Sequence, residues 1–154
     1  MTAPAYDHVV LTRFSVLIRG QRELMPAEWL RYRLAFFYDT AYPSVTRQRG
    51  AHQPVSWLVF CDERCPDDVR ETIEDLAVGA FTPVWTRAPF REIHQHHVAQ
   101  LAAAPALVTT RLDSDDALAV DFLATVQREA ARHLTSERRD EALFVDFPVG
   151  VQID

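Results

Sequence analysis

Lysine and asparagine are both absent from this 154-residue chain, so all 16 basic residues are arginine. The bias reads mainly as the codon signature of a GC-rich, bacterial genome, although the planar guanidinium also suits phosphate contacts. Cysteine is scarce: Cys61 and Cys65 alone build neither a disulfide framework nor a zinc quartet. They read as incidental thiols in a reducing cytoplasm. No apolar run approaches the ~20 residues that span a bilayer. Met1 to Asp7 lacks the basic start and apolar run of a secretory signal, so a cytoplasmic location is expected. Positive charge is in deficit too. A net charge of -6 excludes broad capture of nucleic acid or anionic membrane, while leaving room for a local basic pocket. No internal repeat, low-complexity stretch or linker is visible.

What remains is globular: 48% hydrophobic and 25% charged residues, in a length that suits a single domain over residues 1–154. Strand and helix patterns alternate, which predicts a three-layer α/β sandwich with a mostly parallel sheet. Strands are expected at His8–Ile18, Val55–Cys61, Phe81–Thr86, Leu107–Thr110 and Ala142–Phe147. Pro83 points to an edge position for the third, and composition to burial on both faces for the fourth. Helices are expected to start at Pro26, at Pro66 and Asp67, at Pro89, and over Ala117–Leu134 as the longest. Pro43 is expected to interrupt the first helix, with Ser44 capping a short second one. Trp29, Phe36, Phe37 and Tyr38 recur at helical spacing and read as core or interface.

Chemistry concentrates at Arg111-Leu112-Asp113-Ser114-Asp115-Asp116, where an apolar strand ends and three carboxylates fall within four positions. Like charges so close repel unless a cation sits among them. Mg²⁺ and Mn²⁺ take oxygen ligands and often share them with substrate phosphates. Open α/β sheets bind ligands at the carboxyl ends of their strands, where this turn lies. The competing reading is a solvated turn that caps the next helix. His94 and His97 share a helical face but lack a third ligand nearby, and read as exposed histidines rather than a zinc site.

Thr109 to Asp116 resembles the Asp-X-Asp signature of glycosyltransferases with the A-type fold. Three further segments fall in matching order: Val10 to Phe14 as the opening strand, Tyr42 to Gln48 before the second strand, and Trp57 to Asp62 as that strand. Phe144 to Gly150 adds a fifth similarity. Together they resemble a rhamnosyltransferase family over nearly the whole chain. The resemblance implies metal binding, with Mn²⁺ or Mg²⁺, by Asp113, Asp115 and Asp116. It implies donor contacts from Asp62 and Asp113, with Asp62 meeting the nucleotide base; Arg13, which breaks the apolar run of the first strand, is expected to face the diphosphate or to pair with a carboxylate at the strand end. Arg111 is expected to bind substrate or to orient the carboxylates of the turn.

The expected function is transfer of a sugar, rhamnose among the candidates, from a nucleotide-diphosphate donor to a hydroxyl on a glycan or small-molecule acceptor. The chain is short for that family, whose acceptor half and catalytic base usually lie beyond the corresponding end, so no base is assigned. A truncated chain is therefore expected. It would be completed by further sequence, a partner or self-association as a homo-oligomer, near Leu143, Phe144, Val145 and Phe147. Two other functions compete: a nucleotide-sugar-binding module without turnover, and another metal-dependent nucleotide enzyme such as a nucleotidyltransferase. Transfer by the chain alone discriminates the first, and a preference for nucleoside triphosphate the second.

Overall fold

The computed structural model describes residues 6–18, 20–137 and 140–145. Four parallel strands form one sheet: β1 (Asp7–Arg13), β2 (Val55–Asp62), β3 (Thr82–Thr86) and β4 (Leu107–Asp113), in the order β3-β2-β1-β4. β1 and β2 are interior strands, and their apolar runs are what burial on both faces demands. β3, with Pro83, lies at an edge, where a missing N–H costs no ladder bond.

Helices α1 (Ala27–Phe36), α2 (Tyr42–Thr46), α3 (Asp67–Ala77), α4 (Phe90–Leu101) and α5 (Phe122–Leu134) complete the described elements. One face of the sheet packs Val10, Trp57, Val59 and Leu112 against Leu30, Phe37, Val69, Ile73 and Leu123 from α1, α3, α5 and the segment after α1. The other face packs Val9, Leu11, Leu58, Phe60 and Val84 against Phe90 and Val98 of α4. The result is the expected three-layer sandwich, with its helices divided unequally between the two faces.

Several local expectations are corrected. The first strand stops at Arg13 rather than Ile18, because the backbone amides of Phe14 and Ser15 both turn to the Phe60 carbonyl. Pro43 does not interrupt the helix. A π-helical turn over Phe37–Ala41 precedes it, with the Tyr42 amide donating to the Phe37 carbonyl five residues back. This wider turn accommodates the ring and missing donor of proline, which would clash with a regular α-helix. Ser44 is therefore no N-cap. It lies within α2 and donates its hydroxyl to the Ala41 carbonyl.

The last helix begins at Phe122 and not Ala117. The carbonyls of Ala119 and Val120 are taken by Gln48 and Arg49, which ties this stretch to the segment after α2 instead. β4 is longer than expected, reaching Asp113, and is not buried on both faces: Leu107, Thr109 and Arg111 are exposed. It is an edge strand, and among the described residues α4 is the one helix on that side of the sheet. Of the expected fifth strand, residues 142–145 form none; an apolar pattern makes no strand without a neighbouring ladder. Asp146 and Phe147 lie outside the described residues. Among the described residues no helix is long and apolar enough to cross a membrane.

Candidate functional site

The chain runs β1, β2, β3 outward in one direction, then crosses to β4 on the far side of β1. The carboxyl ends of β1 and β4 thus flank the point where the strand order reverses, the place at which open α/β sheets form their ligand crevice. Their register pairs Arg13 with Asp113. The two side chains meet there, with Arg13 Nη2 donating to Asp113 Oδ1 at 2.9 Å.

Beyond Asp113 the chain turns, and the Asp116 amide closes the turn on the Asp113 carbonyl. Arg33, from α1 on the opposite face of the sheet, holds this turn. Its Nε donates to the buried Ser114 hydroxyl at 2.8 Å, and its Nη1 and Nη2 each lie 3.1 Å from an oxygen of Asp115. Trp29 supports Arg33 from below, with the guanidinium 5.2 Å from the ring centroid. Nothing in the spacing of α1 separates Arg33 from a surface arginine; only the packing of α1 beside β4 brings it here.

The Asp116 carboxylate has no hydrogen bond or ion pair among the described residues. Burial raises its pKa, and the charges of Asp115 and Asp113 raise it further, against a smaller opposing effect of Arg33. The turn therefore carries residual negative potential even with two arginines engaged. No three acidic, histidine or cysteine side chains converge into a metal-binding group among the described residues. Asp113 and Asp115 are each engaged by an arginine, so the Asp116 carboxylate is the one in this turn without a partner among the described residues.

Asp62 lies at the end of β2 and its carboxylate is buried. Oδ1 accepts from the backbone N–H and Nε of Arg64 at 2.8 and 2.9 Å, and Oδ2 accepts from Nη2 at 2.7 Å. Burial pushes the Asp62 pKa up, but the Arg64 hydrogen bonds and charge outweigh it and leave the pKa lowered. As it stands, Arg64 rather than Asp62 presents the accessible surface of this pair. Nearby, the Ser15 hydroxyl accepts from the Asp62 amide and lies 3.0 Å from Cys65 Sγ. Both cysteines are free and buried, and burial raises both thiols.

Arg111 shares the α4-facing side of β4 with Asp113. Its guanidinium is 5.9 Å from the Phe90 ring centroid, and the hydrogen bonds to the acidic turn come from Arg13 and Arg33 instead. His94 stacks on Phe90 at 4.6 Å, and His97 lies 5.9 Å from Phe60. The two histidines thus serve ring packing under α4, away from the turn.

No curated protein matches the chain, and no solved structure does. One family does match, the family described as "Putative rhamnosyl transferase", and it does so over residues 7–153, which take in β1, the arginine-held acidic turn of β4 and every described helix. With nearly its whole length matched, this chain belongs to that rhamnosyl transferase family.

Proposed function

We propose that the chain is a glycosyltransferase that binds a nucleoside-diphosphate sugar, rhamnose being the sugar the family name suggests, across the carboxyl ends of β1 and β4. The observation that carries this reading is the acidic turn at the strand-order reversal, clamped from both faces of the sheet by Arg13 and Arg33. The arginine guanidinium groups held in that crevice, with a cation drawn by the residual negative potential of the turn, suit a diphosphate, whose negative charge grows as the glycosidic bond to the sugar breaks.

In this reading Arg13 meets the diphosphate, exchanging part of its contact with Asp113. A Mn²⁺ or Mg²⁺ ion would be held mainly by donor oxygens and water, with Asp116, or Asp113 or Asp115 once released by its arginine, as its protein ligand, since the three carboxylates do not converge as a set. Such an ion supplies Lewis-acid stabilisation of the departing diphosphate. Asp113 is also the candidate contact to the ribose. The Asp62–Arg64 pair meets the nucleoside, with Asp62 holding Arg64 in place and joining the contact where Arg64 swings aside. Arg33 keeps the turn in register by gripping Ser114 and Asp115, so it is a positioning residue.

Calorimetry with Mn²⁺ and UDP or TDP tests the reading. Diphosphate binding is expected to depend on the cation and to weaken about tenfold or more in an Asp113→Ala/Asp115→Ala variant. Equal binding by both proteins, with no effect of the cation, would refute it.

A further inference from the structure

Among the described residues, α4 and the segment after β1 that carries Val16 cover the second face of the sheet, and α4 does not reach across β4. An open groove of about 1040 Å³ remains between α4 and the exposed sides of β1 and β4. That volume is at the upper end for small-molecule sites. In a chain with 22 acidic residues, three arginines and a histidine line this groove, and among the described residues no carboxylate does. Arg13 is paired with Asp113 at the rim. Arg91 and Arg111 have no carboxylate or hydrogen-bond partner among the described residues. Arg13 and Arg111 each lie 5.9 Å from the Phe90 ring centroid, so like charges gather about one ring. Such a gathering is relieved by an anion. Away from the arginines the lining turns apolar, with Val98, Ala102, Ile18 and the exposed Leu107.

We propose that this groove binds the acceptor, and that the acceptor is an anionic amphiphile: a phosphate held by Arg91 and Arg111 on an apolar body lying over Leu107, Val98 and Ala102. Placement beside the donor rests on the reading given under Proposed function. Arg111 and Asp113 point to the same side of β4, two residues and about 7 Å apart. The basic end of the groove therefore opens beside the acidic turn, where an acceptor must approach the sugar. A dianionic phosphate matches two planar guanidinium groups better than a neutral glycan does. An apolar lining next to the charges selects a body that is itself apolar.

Titration calorimetry on the full chain without nucleotide, using octyl phosphate below its micelle concentration, tests the groove on its own. Inorganic phosphate and octyl glucoside serve as comparisons. Octyl phosphate is expected to bind about tenfold tighter than either, and Arg91→Gln and Leu107→Asp each to weaken it about tenfold. Arg91→Gln should keep the wild-type melting temperature and wild-type affinity for UDP with Mn²⁺, since Arg91 lies outside the acidic turn. Octyl phosphate binding no tighter than inorganic phosphate would reduce the groove to a free-anion site and overturn the proposal. Affinity equal to that of octyl glucoside, or indifference to Arg91→Gln, would overturn it as well. Because nucleotide is absent, these results stand whether or not the donor reading holds.

Discussion

His8 shows how one side chain ties stability to pH. It is buried near the start of β1, with Nε2 2.9 Å from the Thr110 hydroxyl and Nδ1 3.3 Å from Gln127 Nε2. Burial lowers its pKa to about 4. Below the ordinary value near 6.5 the unfolded chain takes up a proton that the folded chain refuses, so the folded state loses ground as pH falls from 6.5 towards 4. A shift of that size corresponds to about 3 kcal/mol. Urea melts at pH 7 and pH 4.5 should show most of this loss in the wild type, and a clearly smaller loss in His8→Gln. Identical pH dependence in the two proteins would show that His8 does not titrate in this way. Asp62 acts in the same direction: its lowered pKa stabilises the fold at neutral pH, and that contribution disappears as acid protonates the carboxylate.

At the scale of elements, α5 is joined to the sheet by an amide as well as by apolar contacts. Gln127 is fully buried. Its Oε1 accepts from the backbone amides of His52 and Gln53 at 2.8 and 3.0 Å, and its Nε2 donates to the Gln53 carbonyl at 2.9 Å. One side chain thereby satisfies the backbone just ahead of β2. Gln127→Leu would remove these three hydrogen bonds to part-buried backbone, each with a net contribution of about 0.5–1.5 kcal/mol. A destabilisation of about 3 kcal/mol is expected in denaturant melts, although leucine adds apolar surface. A variant as stable as the wild type would mean that water reaches His52 and Gln53 when the amide is gone. The π-turn before Pro43 matters at this scale too. It keeps Phe37 and Ala41 both buried, with Phe37 ringed by Phe14, Trp57 and Phe81 at 5.7–5.8 Å. The exposed aromatics of the same stretch, Tyr32, Phe36 and Tyr38, are left on its outer side.

Taken whole, the molecule is layered unevenly. Among the described residues, one face of the sheet is covered by several helices and the other by α4 as its one helix, with Val16 beside it. β4 has a neighbour on one side only, so its outer backbone groups are unpaired within the sheet. Leu143 and Val145 are exposed, and Phe144 is 93% exposed. Open strand edges and clustered apolar side chains favour association. Light scattering over a concentration series should give an average mass rising above the monomer value of 17.6 kDa, and Leu143→Ser/Phe144→Ser should reduce the rise. A constant monomer mass up to high concentration would count against this expectation. Charge also sorts at this scale: a chain of net charge -6 gathers arginines along one groove, which explains how an acidic protein can offer an anion a binding surface.

Much of this was legible in the residues. Alternating apolar runs and proline-started helices determined the α/β class and the parallel sheet, because period and punctuation are local properties. The position of β3 at an edge was readable from Pro83, whose missing donor restricts where it can sit. The acidic turn was visible as charge crowding at a strand end, and the order of four segments brought the family into view. Tertiary structure alone decided which groups answer that charge. Arg33 lies 82 positions from Asp115, and only the packing of α1 beside β4 brings them together. Asp62 looked like an open strand-end carboxylate, yet Arg64 covers it, because side-chain direction within a turn depends on local geometry that residue type does not encode. Leu107 to Thr110 read as buried on both sides, since composition reports affinity for burial. Whether a face is covered depends on what the rest of the chain places over it, and among the described residues α4 is the one helix over this face.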